Sequence, residues 1–425
     1  MTNEAPASRS FVFTVLLVCM AVSVGLHLNS FRVQHGEGDE WVYLTLAREM
    51  NWDLTHYTTR DDPKVREFPF AAYRGPVFIH PPLYPWALKV GLSLGYPLEF
   101  GLLCQVSVML LLLVLVARWL LLQKVDWLGV TVVLLGFTFC PLLLASTTRL
   151  HLDGLAAAFC CGAVLLFLEA LQWRSWRATI AAGVLTVLAL NVRYSSLVLV
   201  PFLLLIQFVY LWQQSRLADT TDSPRPGWAA FRETAAGWRH WRVLVVVMAL
   251  VLTLGLQHYY RLYLAYGTLL PGTIHAPDPA RLNEFLRSVL GRTRLEAFIY
   301  LLLIFPFLVA FASGAYGRGL RDLARRPRLE LTLLVAVPYF LGCCLWFQHI
   351  LERYFALVMP FAYLSLPLLL SQCRRWERLV LYALLAVSLL SMLGSDYLTT
   401  IENPSAARIW PAILYFVEPL RPYCR

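Results

Sequence analysis

Long apolar segments separated by short polar ones run through most of the chain. A helix needs about 20 apolar residues to cross a bilayer. Suitable segments lie at residues 11–28, 98–121, 127–147, 152–172, 178–192, 195–212, 242–260, 297–315, 329–347, 354–370 and 379–393. The pattern predicts an all-α polytopic membrane protein with about eleven transmembrane helices.

The fifth and sixth segments are short, and only residues 191–194 separate them. A single broken helix and two separate crossings both fit this spacing. The choice between them reverses the membrane orientation of all later helices and loops. Cytoplasmic loops are rich in Lys and Arg, so charge decides between the two topologies. With the N-terminus inside and two crossings, residues 317–328, GRGLRDLARRPR, become an inner segment with five arginines and one acid. Two crossings are therefore preferred. The other inner segments are residues 118–126, 173–177, 213–242 and 374–378.

The first outer loop holds the densest polar sequence. From Arg32 to Glu99 it has nine acids against seven bases, so it lacks the cytoplasmic bias. Apolar positions in Asp39–Met50, and the PPLYPWALKVGLSLG segment after His80, predict two interfacial helices. They flank an irregular segment from Asp53 to Ile79.

The predicted organisation is one transmembrane domain over residues 1–393. It includes the first outer loop at 29–97 and a polar cytoplasmic loop at 213–241. Residues 394–425 form a tail on the outer face that is too short for an independent domain. The first apolar segment has no convincing small-x-small cleavage site after it, so we expect a retained signal anchor.

Composition narrows the protein class. With 59% hydrophobic and 15% charged residues, the chain does not fit an ordinary soluble protein. The net charge of +10 comes with arginines clustered between apolar spans, so it indicates membrane topology and no nucleic-acid partner. Most of the nine cysteines lie in apolar runs and give neither metal-ligand spacing nor a disulfide framework.

Most residues that could take part in catalysis or binding lie on the predicted outer side. Each of these acids and arginines also has a structural explanation, because acids are favoured at helix starts and arginines can extend toward lipid headgroups. Their shared side favours function, because carboxylates serve as proton acceptors and arginines bind phosphate. The outer set includes Asp39, Glu40, His80, Arg149, His151, Asp153, Arg193, His349, Glu352 and Arg353.

Four segments together resemble the GT-C superfamily of glycosyltransferases. They are DEWVYLTLAREM, HPPLYPWAL, AAGVLTVLALNVRYSSLVLVPFLLL and RYFALVMPF. In this order they are similar to dolichyl-phosphate-mannose protein mannosyltransferases and to bacterial aminoarabinose transferases of lipid A, across residues 11–370. No single segment is specific, whereas their order and topology are. Arg193 stands where lysine is more usual.

The resemblance implies a GT-C-like helical bundle in which Asp39 is the catalytic carboxylate and Asp153 a second acid of the outer cavity. Glu40 is a further candidate catalytic residue, whose alternative role is to orient Asp39. We further expect outer arginines to bind a donor phosphate and several other residues to shape the cavity. The predicted phosphate ligands are Arg353, Arg193 and Arg149, and the predicted cavity residues are His80, Pro82, Tyr84, His151 and Tyr354.

The expected reaction is hexosyl or pentosyl transfer, with inversion, from a polyprenyl-phosphate sugar to a hydroxyl of a lipid, glycan or protein. Nucleotide sugars are charged and made in the cytoplasm, which disfavours them on an outer face. The expected location is the bacterial inner membrane, with the site facing the periplasm. No cofactor is predicted. The sequence shows no clear set of oxygen ligands for a divalent metal, although Asp39, Glu40 and Asp153 could together form one.

Two other classes fit parts of the pattern. A transporter or flippase predicts ionisable groups at mid-membrane and breaks in corresponding halves, yet the charges lie mostly at span ends and no two-fold repeat is visible. A membrane protease of exosortase type needs an outer Cys and His, and Cys424 in the tail is the cysteine clearly placed there. The transferase is therefore ranked first.

Overall fold

The computed structural model describes residues 6–30, 39–62, 75–147, 150–218, 227–269, 314–325, 328–346 and 356–394. Within these ranges the regular structure is helical, and the single β contact is an isolated bridge between Pro6 and Asp126. The all-α prediction is confirmed.

The α-helices follow the predicted order of apolar segments. They are α1 (Arg9–Ser30), α2 (Asp39–Glu49), α3 (Leu83–Ser93), α4 (Pro97–Leu122), α5 (Trp127–Phe139), α6 (Pro141–Thr147), α7 (Leu152–Trp173), α8 (Trp176–Val192), α9 (Leu199–Ala218), α10 (Gly227–Ala236), α11 (Arg242–Leu250), α12 (Gln257–Tyr266), α13 (Ala315–Arg325), α14 (Thr332–Trp346), α15 (Met359–Gln372) and α16 (Arg375–Gly394). Short 3₁₀ turns lie at Tyr194–Val198, Trp238–His240 and Leu329–Leu331.

Several helices are long and apolar enough to cross a bilayer. In the described ranges these are Arg9–Leu28, Pro97–Leu122, Leu152–Trp173 and Tyr194–Leu217, and the bent pair α11–α12 makes a fifth if it is one span. Shorter apolar helices lie at Trp127–Phe139, Trp176–Val192 and Leu329–Cys343. These helices support an integral membrane protein, while the count of about eleven stays a prediction. The predicted span at 297–315 lies almost entirely outside the described residues.

The predicted third span, 127–147, was wrong as a continuous helix. It is interrupted at Cys140, whose backbone is extended with φ −61° and ψ 114°. Pro141 explains the break, because proline disfavours the helical conformation in the residue before it and has no amide hydrogen. The short helix α6 that follows leads into the turn around residue 150.

The predicted span 242–260 is a bent pair of helices. Helix α11 passes into a π-helical turn at Val251–Gly255, and α12 continues at an angle of 47°. Such π turns are among the identifiable causes of sharp kinks. The bend carries α12 toward the first outer loop.

Helices α8 and α9 are distinct helices with a break between them, and their assignment as two separate crossings stays a prediction. Arg193 between them is extended, with φ −148° and ψ 136°, and the 3₁₀ turn from Tyr194 leads into α9. At 17 residues α8 is about 25 Å long, which is shorter than the hydrocarbon core. The break places Arg193 at the end of a short helix.

The polar loop predicted at 213–241 is partly helical, so that prediction was wrong for two stretches. Helix α9 continues to Ala218, and α10 forms at Gly227–Ala236. The reason is an aromatic contact: the Phe231 ring lies 5.2 Å from that of Phe208 and 5.7 Å from that of Trp212. Packing on α9 supplies the burial that a short helix needs.

Helix α7 lies at the centre of the bundle, and every residue from Leu152 to Leu171 is buried. Its two ends meet different partners. At the Trp173 end, Arg118 donates two hydrogen bonds to the Glu169 carboxylate, at 2.9 and 2.6 Å. At the same end Gln123 contacts Gln172, and the Ala7 amide donates to the Val125 carbonyl. These contacts join segments predicted to be inner ones. The other end of α7 carries the candidate site.

Candidate active site

Helix α2 begins at Asp39, in the segment predicted to be the first outer loop, as the pattern indicated. The Asp39 side chain lies outside the described atoms. The neighbouring Glu40 side chain is buried, and its Oε1 accepts a hydrogen bond of 3.0 Å from the Leu150 amide. Because this contact spans 110 residues of sequence, it fixes the start of α2 against the turn before α7.

Asp153 lies in the first turn of α7 and forms an ion pair with Arg193. The contact joins Oδ1 of Asp153 to a terminal guanidinium nitrogen, and each side chain is 5% exposed. Burying either charge alone is costly, so each requires the other. The prediction that these residues share one side is supported by direct contact, whereas extension of Arg193 toward lipid headgroups was wrong.

The turn that leads into α7 is held from two directions. His151 occupies the N-cap position with an extended backbone, and its side chain makes no capping hydrogen bond. Its carbonyl accepts a 2.6 Å hydrogen bond from Gln105 of α4, while Glu40 binds the amide of Leu150. The backbone that presents Asp153 is therefore fixed by two buried polar side chains.

His80 lies beside the Arg193 break. Its ring stacks on Tyr194 with centroids 5.4 Å apart, and it meets Tyr43 of α2 edge-on at 6.0 Å. The Tyr57 hydroxyl donates to the His80 carbonyl at 2.9 Å. Burial raises the pKa of Tyr57 well above its usual range, so this phenol stays a donor. His80 is thus packed among aromatic side chains, and its cavity-shaping role stays a prediction.

Pro82 and Tyr84 begin the second helix of the loop. Pro82 is the N-cap residue of α3, and the buried Tyr84 ring meets Tyr43 edge-on at 6.2 Å. Two helices therefore flank a segment that is irregular in its described parts, 51–62 and 75–82, as the sequence predicted. Their aromatic contacts pack α2 on α3.

Five outer residues of the prediction lie outside the described residues. They are Arg149, His349, Glu352, Arg353 and Tyr354. The phosphate contacts predicted for Arg149 and Arg353, and the cavity contact predicted for Tyr354, stay predictions.

Residues that the sequence reasoning did not select also build the site. His27 of α1 places Nε2 2.9 Å from the Thr147 hydroxyl and Nδ1 2.7 Å from the Ser23 carbonyl. Gln105 reaches the α7 turn, and Tyr194 stacks on His80. A signal existed for two of these residues, because His27 and Gln105 are strongly polar side chains within apolar spans, where such side chains are usually functional or paired. Tyr194 had no comparable signal.

The arrangement joins two carboxylates and a guanidinium at one end of the helical bundle. Among the described residues, no group of three or more His, Cys, Asp or Glu side chains is placed to hold a metal ion. Glu40 and Asp153 are each engaged by a donor, the first by an amide and the second by Arg193. Such a site is suited to positioning charged and hydroxyl groups.

Comparison with known proteins agrees with the resemblance seen in the sequence. Residues 79–222 match the family model of dolichyl-phosphate-mannose-protein mannosyltransferases. The match includes His80, Asp153 and Arg193, covers less than half of the chain, and begins after Asp39 and Glu40. It confirms the resemblance over this segment and supports a membrane glycosyltransferase of the mannosyltransferase type. Searches of curated proteins and of solved structures gave no match.

Proposed function

We propose that this protein transfers a sugar from a polyprenyl-phosphate donor to an acceptor hydroxyl at the outer face of a membrane, with inversion. The observation that carries the proposal is the buried Asp153–Arg193 pair, which lies in the segment that matches a mannosyltransferase family, beside the contact of Glu40 with Leu150. A purely structural ion pair does not require this neighbourhood of a second buried carboxylate.

The surroundings of the site favour a lipid-linked donor. The site lies at helix ends of an apolar bundle, so a lipid-linked sugar reaches it with its polyprenyl chain between helices. Its phosphodiester carries one negative charge, which an arginine binds through charge-assisted hydrogen bonds. Arg193 is the described candidate, and Arg353 and Arg149 are the further predicted ones. The proposed acceptor is a lipid, glycan or protein hydroxyl.

Asp39 is proposed as the base. Its backbone starts α2, next to Glu40, whose carboxylate is tied to the turn before Asp153. The Asp39 carboxylate takes the proton of the acceptor hydroxyl while the hydroxyl oxygen bonds to the anomeric carbon. The bond from that carbon to the phosphate oxygen breaks, and polyprenyl phosphate leaves with the electron pair, its charge stabilised by arginine. One displacement inverts the anomeric centre.

Asp153 has a positioning role in this proposal. Its carboxylate orients Arg193 and offsets the positive charge while no donor is bound. The site is proposed to face the periplasm of a bacterial inner membrane, on the basis of the arginine-rich segments at the opposite bundle end. A divalent metal is not required by this scheme.

The test uses the full chain in lipid nanodiscs with synthetic polyprenyl-phosphate sugars, mannose first, and lipids that co-purify with the protein as a guide to the acceptor. Asp39→Asn is expected to lower turnover by at least about a hundredfold while donor binding persists. Asp61→Asn, an exposed acid of the same loop, is the matched control. Unchanged transfer by Asp39→Asn, or a product that retains the donor configuration, rejects the mechanism. Lipid movement without transfer favours the flippase alternative.

A further inference from the structure

Two adjacent side chains of α12 contact two different parts of the candidate site. The ring Nε2 of His258 lies 3.3 Å from the Ile79 carbonyl, directly before His80. The hydroxyl of Tyr259 donates to the Leu190 carbonyl at 2.9 Å and lies 3.5 Å from the Arg193 carbonyl. Both side chains are buried. A single helix therefore joins the loop that carries His80 to the turn that carries Arg193.

The Tyr259 hydroxyl binds a backbone carbonyl at the end of α8. The last carbonyls of an α-helix have no intrahelical donors. The Leu190 carbonyl lies in the last turn of α8, directly before the extended residue Arg193. The Tyr259 hydroxyl donates to this carbonyl and so stabilises the α8 terminus from which the chain turns extended at Arg193.

The His258 contact fixes the segment that carries His80. A carbonyl only accepts hydrogen bonds, so the Nε2 that faces Ile79 carries the hydrogen. Tyr57, whose hydroxyl holds the His80 carbonyl, also meets the His258 ring edge-on at 5.7 Å. His80 in turn stacks on Tyr194, the residue after Arg193. The segment that carries His80, the turn that carries Arg193 and helix α12 therefore each contact the other two.

We propose that Tyr259, supported by His258, is a positioning residue that sets Arg193 for the donor phosphate. This inference rests on the proposed function and adds residues outside the segment matched to the mannosyltransferase family. Tyr259 does not touch the reacting atoms; it acts through the backbone of the α8 terminus. The 47° bend between α11 and α12 is what carries Tyr259 to this place.

The activity test compares Tyr259→Phe with Tyr260→Phe. The first removes the buried hydroxyl and keeps the ring, and the second removes a hydroxyl from a side chain that is 61% exposed on the same helix. We expect Tyr259→Phe to lower kcat/KM by about tenfold, chiefly through the KM for the donor, with no change for Tyr260→Phe. In an Arg193→Lys background the further loss is expected to be less than about threefold, because the two residues act as a unit. Fully multiplicative losses overturn the proposal.

A second variant pair tests His258. His258→Gln keeps a side-chain donor and is expected to retain most activity, whereas His258→Leu loses it about tenfold. Equal loss in both variants, with normal folding, removes His258 from the proposal.

Hydrogen exchange gives a readout that is independent of sugar transfer. The amides of Arg193 and Ser196 are bonded to Ala189 and Arg193 in the turn. Tyr259→Phe is expected to speed their exchange at least about tenfold while α7 stays protected. If the wild-type protein transfers no sugar but this local change occurs, the proposed function fails and the positioning contact stands. If the wild-type transfers sugar and the variant shows neither local change nor loss of activity, the positioning inference fails alone.

Discussion

The Arg193 guanidinium is paired with the Asp153 carboxylate, and each side chain keeps 5% of its surface exposed. One residue ends a short helix and the other begins the central helix, 40 positions earlier in the chain. The pair therefore fixes the distance between α7 and the break after α8. It also gives the site a buried charge of each sign.

Removal of one partner is expected to destabilise the protein strongly. Asp153→Asn leaves the Arg193 charge buried and should lower the free energy of unfolding by about 3 kcal/mol. The double variant Asp153→Asn with Arg193→Met removes both charges and should recover part of this loss, while sugar transfer stays absent. Thermal unfolding in nanodiscs, followed by tryptophan fluorescence, measures both. An unfolding midpoint for Asp153→Asn equal to that of the wild type would show that the pair does not stabilise the protein.

Glu40 is expected to act through its hydrogen bond to Leu150. Glu40→Gln keeps an acceptor oxygen and should retain most transfer activity. Glu40→Ala leaves a buried amide without its acceptor, which costs about 2 kcal/mol and misplaces α2, so activity should fall about a hundredfold. Arg48→Ala, an exposed position on α2, serves as control. A large loss in Glu40→Gln at normal stability would instead assign the carboxylate charge a direct role.

Gly154 permits close approach of α6 to α7. A Cβ at this position would lie 2.8 Å from the Ser146 carbonyl oxygen, so Gly154→Ala must push the two helices apart. The expected cost is about 2 kcal/mol, with lower activity because the turn at Leu150 follows α6. Gly317→Ala, where a Cβ meets nothing within 4 Å, should be neutral or slightly stabilising. Equal melting temperatures for both variants would contradict the close packing.

Glu49 at the end of α2 predicts a pH effect on stability. Burial raises the pKa of this carboxyl above its usual value near 4.5, and Asp62 adds to the rise while His56 opposes it. The folded state then holds a proton that the unfolded chain has released, so the free energy of unfolding falls as pH rises from the usual pKa through the raised one.

Glu49→Gln removes this penalty. Its melting temperature should exceed that of the wild type above the pH window and equal it below. Glu99→Gln, at an exposed acid, should show no such difference across the same pH series. A constant offset between Glu49→Gln and wild type at every pH would refute the assignment.

Local pattern was sufficient where one segment decides its own structure. The apolar runs predicted most helices, and the Asp39 and Pro81 segments predicted α2 and α3. The sequence pattern failed to predict elements whose packing partners are distant in the chain. The polar segment at 213–241 gave no sign of α10, because Phe231 finds its burial on α9. Pro141 was visible in the sequence, yet apolarity alone suggested an unbroken span.

The sequence by itself determined a helical membrane protein and its resemblance to a glycosyltransferase family, and it predicted a shared side for its acids and arginines, because hydrophobicity, charge bias and short motifs are local properties. The tertiary structure decided that Arg193 binds Asp153, that Glu40 holds Leu150, and that Tyr259 supports the break between α8 and α9. These contacts join residues 40 to 110 positions apart in the chain. They depend on how bends and breaks place helix ends in space, and no local pattern encodes that placement.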